Sequence, residues 1–317
     1  MRFLWFLFGS VSLYATVNEP LSCEWATGYR NDNFHWHLKN AGDDAALTFS
    51  EHYRDVQFWQ NDLTLRAIHR DLTFWVQGGY GVFGRGSLQT TWDQLSFARE
   101  APQFTSPTQG WAAHAQGYFG FAVNLTSGRF YQVIFTPAIG YEAHFLHLHR
   151  DTASPNPLSS TAAIGGSSYT ASTHFSHNEH TTWSGWLFAG DISIHPGRQL
   201  FFDIGYAYHL LRTRLSTAAA IEANVWAANG SLVSTALQSF SLSYNKGGSF
   251  GHSGWMKMAY SLRRYWKIGL GASMYYFYSS VQPSTLDQRV GISPMLEEKI
   301  KMRWTSVTRS LFVTRSF

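Results

Sequence analysis

Residues 185–211 alternate without a break, and this alternation limits the fold more than any other feature of the chain. The segment reads G-W-L-F-A-G-D-I-S-I-H-P-G-R-Q-L-F-F-D-I-G-Y-A-Y-H-L-L. Trp186, Phe188, Gly190, Ile192 and Ile194 fall on one face, and Leu187, Ala189, Asp191, Ser193 and His195 on the other. Pro196-Gly197-Arg198 makes a tight turn. Leu200, Phe202, Ile204, Tyr206, Tyr208 and Leu210 then oppose Phe201, Asp203, Gly205, Ala207 and His209. Side chains of a strand point alternately to its two faces, so the pattern predicts a hairpin with one apolar-aromatic face and one small or polar face. A soluble sandwich would bury the apolar face against a second sheet. A membrane barrel turns it to lipid and keeps Asp191, Asp203 and His209 inside.

Composition favours the barrel. Aromatic residues make up 17% of the 317 residues and charged residues only 14%, yet the mean hydropathy is −0.19. Lumen-facing polar residues dilute the apolar ones in this way in a lipid-facing barrel. No internal run approaches the roughly 18 consecutive apolar residues of a membrane-spanning helix. At the N-terminus, Met1-Arg2 and the apolar run 3–14 resemble a secretory signal ending near Ala15. The expected division is therefore a signal peptide over 1–15 and a barrel over 16–317. Cys23 is the single cysteine, so no intramolecular disulfide forms and barrel closure must supply stability. The formal charge of +4 carries no basic block, and nothing points to nucleic acid.

In chain order, strands are expected over 25–38, 47–67, 72–86, 111–125, 131–149, 185–195, 200–215, 255–262, 268–281 and 300–317. Pro137 inside the fifth suggests a bulge. Tight turns near His69, Ser127, Gly197 and Arg264 alternate with long loops near Ala101, Ser160, Gly230 and Leu286. Residues 151–180 and 217–252 are expected as long polar loops, the second with a hairpin protruding past the membrane. Outer-membrane barrels show this asymmetry, with short periplasmic turns and long external loops. The fold class is thus all-β, a transmembrane antiparallel barrel of about ten strands. Both chain ends then lie on the periplasmic side, and the terminal Phe317 follows in part a pattern that barrel-insertion machinery reads, with Arg315 where an aromatic is usual.

Three blocks carry a family resemblance: Gly28-Tyr29-Arg30-Asn31-Asp32-Asn33, Tyr53-Arg54-Asp55-Val56-Gln57-Phe58-Trp59-Gln60, and Gly79-Tyr80-Gly81-Val82-Phe83-Gly84-Arg85-Gly86. They resemble outer-membrane barrels of chlamydia-like bacteria, the Protochlamydia outer membrane protein family. The resemblance spans nearly the whole mature chain. It implies a Gram-negative outer-membrane location, with pore activity in some members, and no catalytic residues.

Four chemistries can be weighed. His114, Glu142, His144, Asp191, Asp203 and His209 fall on inward faces as a polar lumen cluster, either a reactive or selective ring or a side-chain plug. A barrel this narrow is filled by its own side chains, which favours the plug. The barrel is also similar to the omptin proteases, which use an acidic pair and an Asp-x-His pair. Here Trp92-Asp93 is followed by Gln94-Leu95, and Asp-x-His occurs nowhere, so no group holds an attacking water. His147, His149, His174, His177 and His180 gather at the base of one loop as weak metal candidates without a recognised ligand spacing. Finally, the loops 151–180 and 217–252 suit adhesion or partner capture.

The role expected from these features is a non-enzymatic, porin-like envelope protein with a narrow polar lumen and exposed loops. The alternatives are an omptin-like protease, a lipid-modifying enzyme or an adhesin. No cofactor is called for. Expected partners are outer-membrane lipid, periplasmic chaperones with the insertion machinery, and a host surface touched by the loops.

Overall fold

The computed structural model describes residues 21–39, 48–92, 103–128, 131–150, 160–164, 167–197, 199–227, 232–244, 248–263, 265–281, 285–288 and 300–317. The expected signal segment 1–15 and Asp93 lie outside them. The strands are β1 (Leu21–Lys39), β2 (Thr48–His69), β3 (Leu72–Trp92), β4 (Gln103–Phe121), β5 (Val123–Gly128), β6 (Tyr131–Arg150) and β7 (Ser160–Ile164). They continue as β8 (Ser167–Pro196), β9 (Leu200–Ala227), β10 (Leu232–Tyr244), β11 (Gly248–Arg263), β12 (Trp266–Val281), β13 (Thr285–Gln288) and β14 (Ile300–Ser316).

All pairings are antiparallel and next-neighbour around a closed path. The order is β1, β2, β3, β4, β6, β8, β9, β11, β12 and β14, and β14 returns to β1 over Ser22↔Ser316 to His37↔Lys301. This is a ten-strand barrel. Closure leaves it no free edge. The closing seam is tight: a Cβ on Gly28 would stand 1.9 Å from the carbonyl oxygen of Arg309. Both described chain ends and the short turns after β2, β5, β8 and β11 lie at one end, as the loop asymmetry predicts.

Several strands run far longer than the sequence suggests. β8 has 30 residues and β9 28, where roughly 9–11 tilted residues cross a bilayer. The expected loop 151–180 is therefore corrected: from Ser167 onward it is strand, paired to β9 from Tyr169↔Ala227. In the expected loop 217–252 the described residues are likewise strand, with β9 and β10 paired as the hairpin expected there. β11 leaves β9 at Arg212, and β10 takes over its edge from Leu215. β7 and β13 extend the same outer wall. β6 keeps an unshifted register with β8 through Pro137. The missing proline N–H shows instead across the other edge, where the ladder lapses between Gly120↔Ala138 and Val123↔Phe135, dividing β4 from β5.

Along each strand, the chemistry of the two faces exchanges part-way. On β9, Ile204, Tyr206, Tyr208 and Leu210 point outward and are exposed, followed by Arg212, Arg214 and Ser216 on the same face. Inward, Asp203 and His209 are followed by Leu211 and Leu215. β1 turns Trp25 and Tyr29 outward, then Asn31, Asn33 and His35, while its inner face passes from Arg30 and Asp32 to Phe34 and Trp36. β14 repeats it: Leu311 and Val307 outside give way to Arg303 and Lys301, and Ser306 inside to Trp304 and Met302. Tyr29 against Trp59 and Tyr141 against Trp186, in ring contact at 5.6 and 5.7 Å, mark the level of the change. Amphipathic rings of this kind line membrane interfaces.

The inner half is thus a membrane barrel with a polar lumen, and the outer half a water-facing collar with an apolar core. That core joins Phe34, Trp36, Tyr53, Phe58, Leu146, Leu148, Trp183 and Trp304, all fully or almost fully buried. Trp183 and Trp304 stack at 5.0 Å. Inward side chains are thus polar at Arg30, Asp32, Glu142, Asp191 and His209 in the membrane half and apolar in the collar.

Replacing Trp183 by Ala should cost about 3–5 kcal/mol, read as a lower temperature for the heat-induced gel mobility shift of an inserted barrel. Gly28→Val should block closure and leave only the unfolded band; a normally closed Gly28→Val barrel would contradict the seam.

Candidate functional site

Glu142, His144 and His209 occupy the level where the collar core begins. Glu142 and His144 are two apart on β6 and share its inner face; His209 arrives from β9, across β8. The Glu142 carboxylate meets His144 Nε2 at 2.9 Å and His209 Nδ1 in a short hydrogen bond. All three side chains are buried. Around them stand Tyr275, Phe277 and Trp304, with ring centroids 5.1–5.5 Å from His144. His114 lies beside His144, centroids 5.8 Å apart, and 3.8 Å from Asp62. It fits there because Gly79 has no side chain: a Cβ would stand 2.4 Å from the imidazole and 1.9 Å from Asp62.

Asp191 and Asp203 join each other rather than this cluster. Ser193 Oγ donates to Asp203 at 2.6 Å and contacts Asp191 at 3.3 Å, while Trp255 Nε1 donates to Asp191 at 3.0 Å. Asp191 is paired with Thr136 on β6, six residues before Glu142, or roughly 20 Å along the strand at ~3.3 Å per residue. The six inward residues therefore form two centres.

Two further groups went unnoticed in the sequence. Arg30 holds Asp32 through Nε at 2.8 Å and Nη2 at 2.7 Å, and Trp304 Nε1 donates to the same carboxylate at 3.1 Å. Higher in the collar, Trp36 Nε1 lies 2.9 Å from both Glu51 and Glu179, and Thr181 donates to Glu179 at 3.0 Å. One signal was available. Arg30 and Asp32, Gln60 and Asp62, Glu142 and His144, Glu179 and Thr181, and Asp191 and Ser193 are all polar pairs two residues apart, hence on one face of one strand.

Ser253 was missed as well. Its Oγ lies 2.8 Å from His209 Nε2, so Ser253, His209 and Glu142 are connected in the order of a nucleophile, its base and an orienting acid. Geometry alone does not make this a reactive centre. Ser253 is 5% exposed, stands outside the walls of the lumen cavity, and has the collar core above it. With that oxygen buried, the chain of hydrogen bonds satisfies the buried Glu142 carboxylate.

The histidines of the metal candidate are partly brought together. His147 and His180 pair across β6 and β8 with ring centroids 3.9 Å apart, and His149 is 5.6 Å from His147. His174 and His177 lie on β8, but their side chains are outside the described ones. Among the described residues, no three His, Cys, Asp or Glu side chains gather as a metal-binding set.

The collar carries histidines whose ionisation is held down. Burial lowers the pKa of His35, with His37, Arg303 and Arg54 acting the same way and the Glu51 carbonyl opposing. Burial likewise lowers His52, helped by Arg54, His35 and Arg303. His147 is lowered by burial, then by His180 and His149, against the Glu179 carbonyl. With folded values below the unfolded value of about 6.5, the folded state binds fewer protons, so collar stability is present above that pH and is lost as pH falls through it. The thermal midpoint should accordingly drop between about pH 7.5 and about pH 5, and His35→Gln with His52→Gln should flatten that slope; an equally steep profile in the double variant would contradict this. A small fluorophosphonate should leave Ser253 unlabelled, and a covalent adduct there would refute its structural role.

Comparison with known proteins fits this geometry. The chain matches the family model described as Protochlamydia outer membrane protein over residues 24–317. No curated protein matches the sequence. Among solved structures, the outer membrane protease OmpT of Escherichia coli superposes with a TM-score of 0.63 at 7% identity, covering 94% of this chain and 96% of that one. At that identity it shows the barrel fold alone. The translocator domain of autotransporter NalP from Neisseria meningitidis aligns at 9% identity over 94% of this chain and 88% of its own, with a TM-score of 0.30. Closed barrel, lipid-facing band and family match agree: the chain belongs to the Protochlamydia outer membrane protein family and is an integral β-barrel of the outer membrane.

Proposed function

We propose that this protein is a non-conducting, non-enzymatic barrel that anchors a strand-built collar at the cell surface. The observation that carries the proposal is the apolar filling of the collar. Phe34, Trp36, Tyr53, Phe58, Trp183 and Trp304 belong to one buried apolar cluster inside it, and interiors of this kind pack with few voids large enough for water. A pore needs a continuous aqueous path, and this core interrupts it. Beneath it Glu142 is bonded to both His144 and His209, which supports a plug rather than a selectivity ring.

The collar's outward face supports a role in surface contact. His35, His37, His52, Arg54, Lys301 and Arg303 lie on adjoining strands β14, β1 and β2, with His35 opposite both Arg303 and His52. The neighbouring partners under this proposal are outer-membrane lipid, the chaperones and insertion machinery that deliver the barrel, and a host surface. Proteolysis is the weaker alternative. OmpT shares only the fold, and no Asp-x-His exists here to activate water.

In a planar bilayer the wild-type barrel should give no stepwise current. Replacing Trp36, Trp183 and Trp304 together by Ala should raise conductance from that baseline. Regular current steps from the wild type would overturn the proposal.

A further inference from the structure

The outward face of β1, β2 and β3 carries a recess at the level where lipid gives way to water. It is lined by Tyr29, Gln57, Phe58, Trp59 and Arg85. The sequence blocks 28–33, 53–60 and 79–86 lie side by side here. Tyr29 stands opposite Trp59, and Gln57 opposite both Asn31 and Arg85. Below the recess the exposed outward residues are Trp25, Leu63 and Tyr80; above it come Asn33 and Arg54.

The barrel wall is locally irregular at this level. Register shifts fall between Asp32 and Phe34 in the β1–β2 ladder, on both sides of Gln57 in β2–β3, and between Gly81 and Gly84 in β3–β4. Asp55 takes a left-handed φ of 52°, which a short polar side chain tolerates. Bulges re-aim side chains and bend the strand that carries them. The close approach of β2 to β3 depends on Gly86, where a Cβ would stand 2.7 Å from the carbonyl oxygen of Arg54.

We propose that this recess binds the anionic, phosphate-bearing headgroup of an outer-leaflet lipid. Arg85 is exposed, and no hydrogen bond, ion pair or ring contact engages its side chain among the described residues. The same is true of Arg309, exposed on β14 opposite Tyr29. Two unengaged guanidinium groups therefore flank the Tyr29–Trp59 ring pair. The local carboxylate, Asp55, is drawn toward β1, where Asn31 Nδ2 donates to it at 3.4 Å. A cation on the lipid-facing surface is costly unless it reaches the interface, and a guanidinium fork matches phosphate oxygens in a bidentate way. The aromatic pair sits at headgroup depth, with apolar side chains beneath it for the acyl chains. Charge complementarity selects a net-negative headgroup, because a zwitterionic one would bring its own ammonium to the arginines. The proposal rests on the membrane placement of the barrel and is independent of whether the lumen conducts.

The test uses the full barrel in mixed micelles of a zwitterionic detergent. Phosphatidic acid is titrated in, and native mass spectrometry counts the lipid retained. Phosphatidylcholine is the zwitterionic control and inorganic phosphate the soluble competitor. Saturable retention of phosphatidic acid is expected, about tenfold tighter than that of phosphatidylcholine and undisturbed by inorganic phosphate. Arg85→Gln with Arg309→Gln should weaken it about tenfold. Folded gel mobility should survive, because neither side chain is engaged within the protein. Arg212→Gln with Arg214→Gln removes the same charge from the outward face of β9 and should leave retention unchanged. Should the first double variant lose the folded mobility, Arg85→Gln alone takes its place and should weaken retention severalfold. Equal retention of the two lipids, displacement by inorganic phosphate, an equal loss in the β9 variant, or unchanged affinity without Arg85 would each overturn the proposal.

Discussion

The exchange of solvent along each strand is the constraint from which the rest follows. A strand has two faces and no third option, so a strand that leaves the bilayer must invert its chemistry on both. On β9 the outward run Ile204, Tyr206, Tyr208, Leu210 faces hydrocarbon, and Arg212, Arg214 and Ser216 face water. The inner face follows in the opposite sense. Beside lipid, the apolar requirement is met outside and the lumen is free to be polar. Beyond lipid, the hydrophobic effect draws apolar residues inward as in a soluble protein.

This inversion has a direct consequence for the lumen. The collar must bury aromatic and aliphatic side chains somewhere, and in a closed barrel the interior is the sole place available. Filling the collar with apolar side chains is therefore inseparable from stabilising strands as long as β8 and β9. Several of the polar residues beneath it are bonded to one another. Glu142 is bonded to two histidines, and Asp32 to Arg30 and the indole of Trp304. Ion networks of this kind are more often structural than reactive, and the burial of Glu142, His209 and Ser253 favours the same reading.

Much of this was legible in the sequence, and the failures have physical causes. The segment 185–211 announced a lipid-facing hairpin because one of its faces is uniformly apolar. Inward placement of Glu142, His144 and His209 followed from alternation alone. Their meeting did not, since His209 is 67 positions from Glu142 and contact depends on register across three strands. Residues 167–180 and 217–227 escaped notice because their sequence carries no regular alternation of large apolar residues. Without an apolar stripe, a Ser- and Thr-rich strand looks like a loop, although threonine is well suited to strands. Pro137 was read as a bulge in its own strand, but the interruption lies in the ladder to β4 and β5.

The most direct measurement of the inversion is a lipid-contact scan of β9 in a Cys23→Ser background. Single cysteines at 204, 206, 208, 210, 212, 214 and 216 would carry an environment-sensitive fluorophore in bilayers containing nitroxide-labelled phospholipid. Strong quenching at 204–210 that ends abruptly at 212 is the result required here. Quenching that continues through 216, or that is absent at 204–210, would contradict a barrel whose faces change solvent at the Tyr141–Trp186 level.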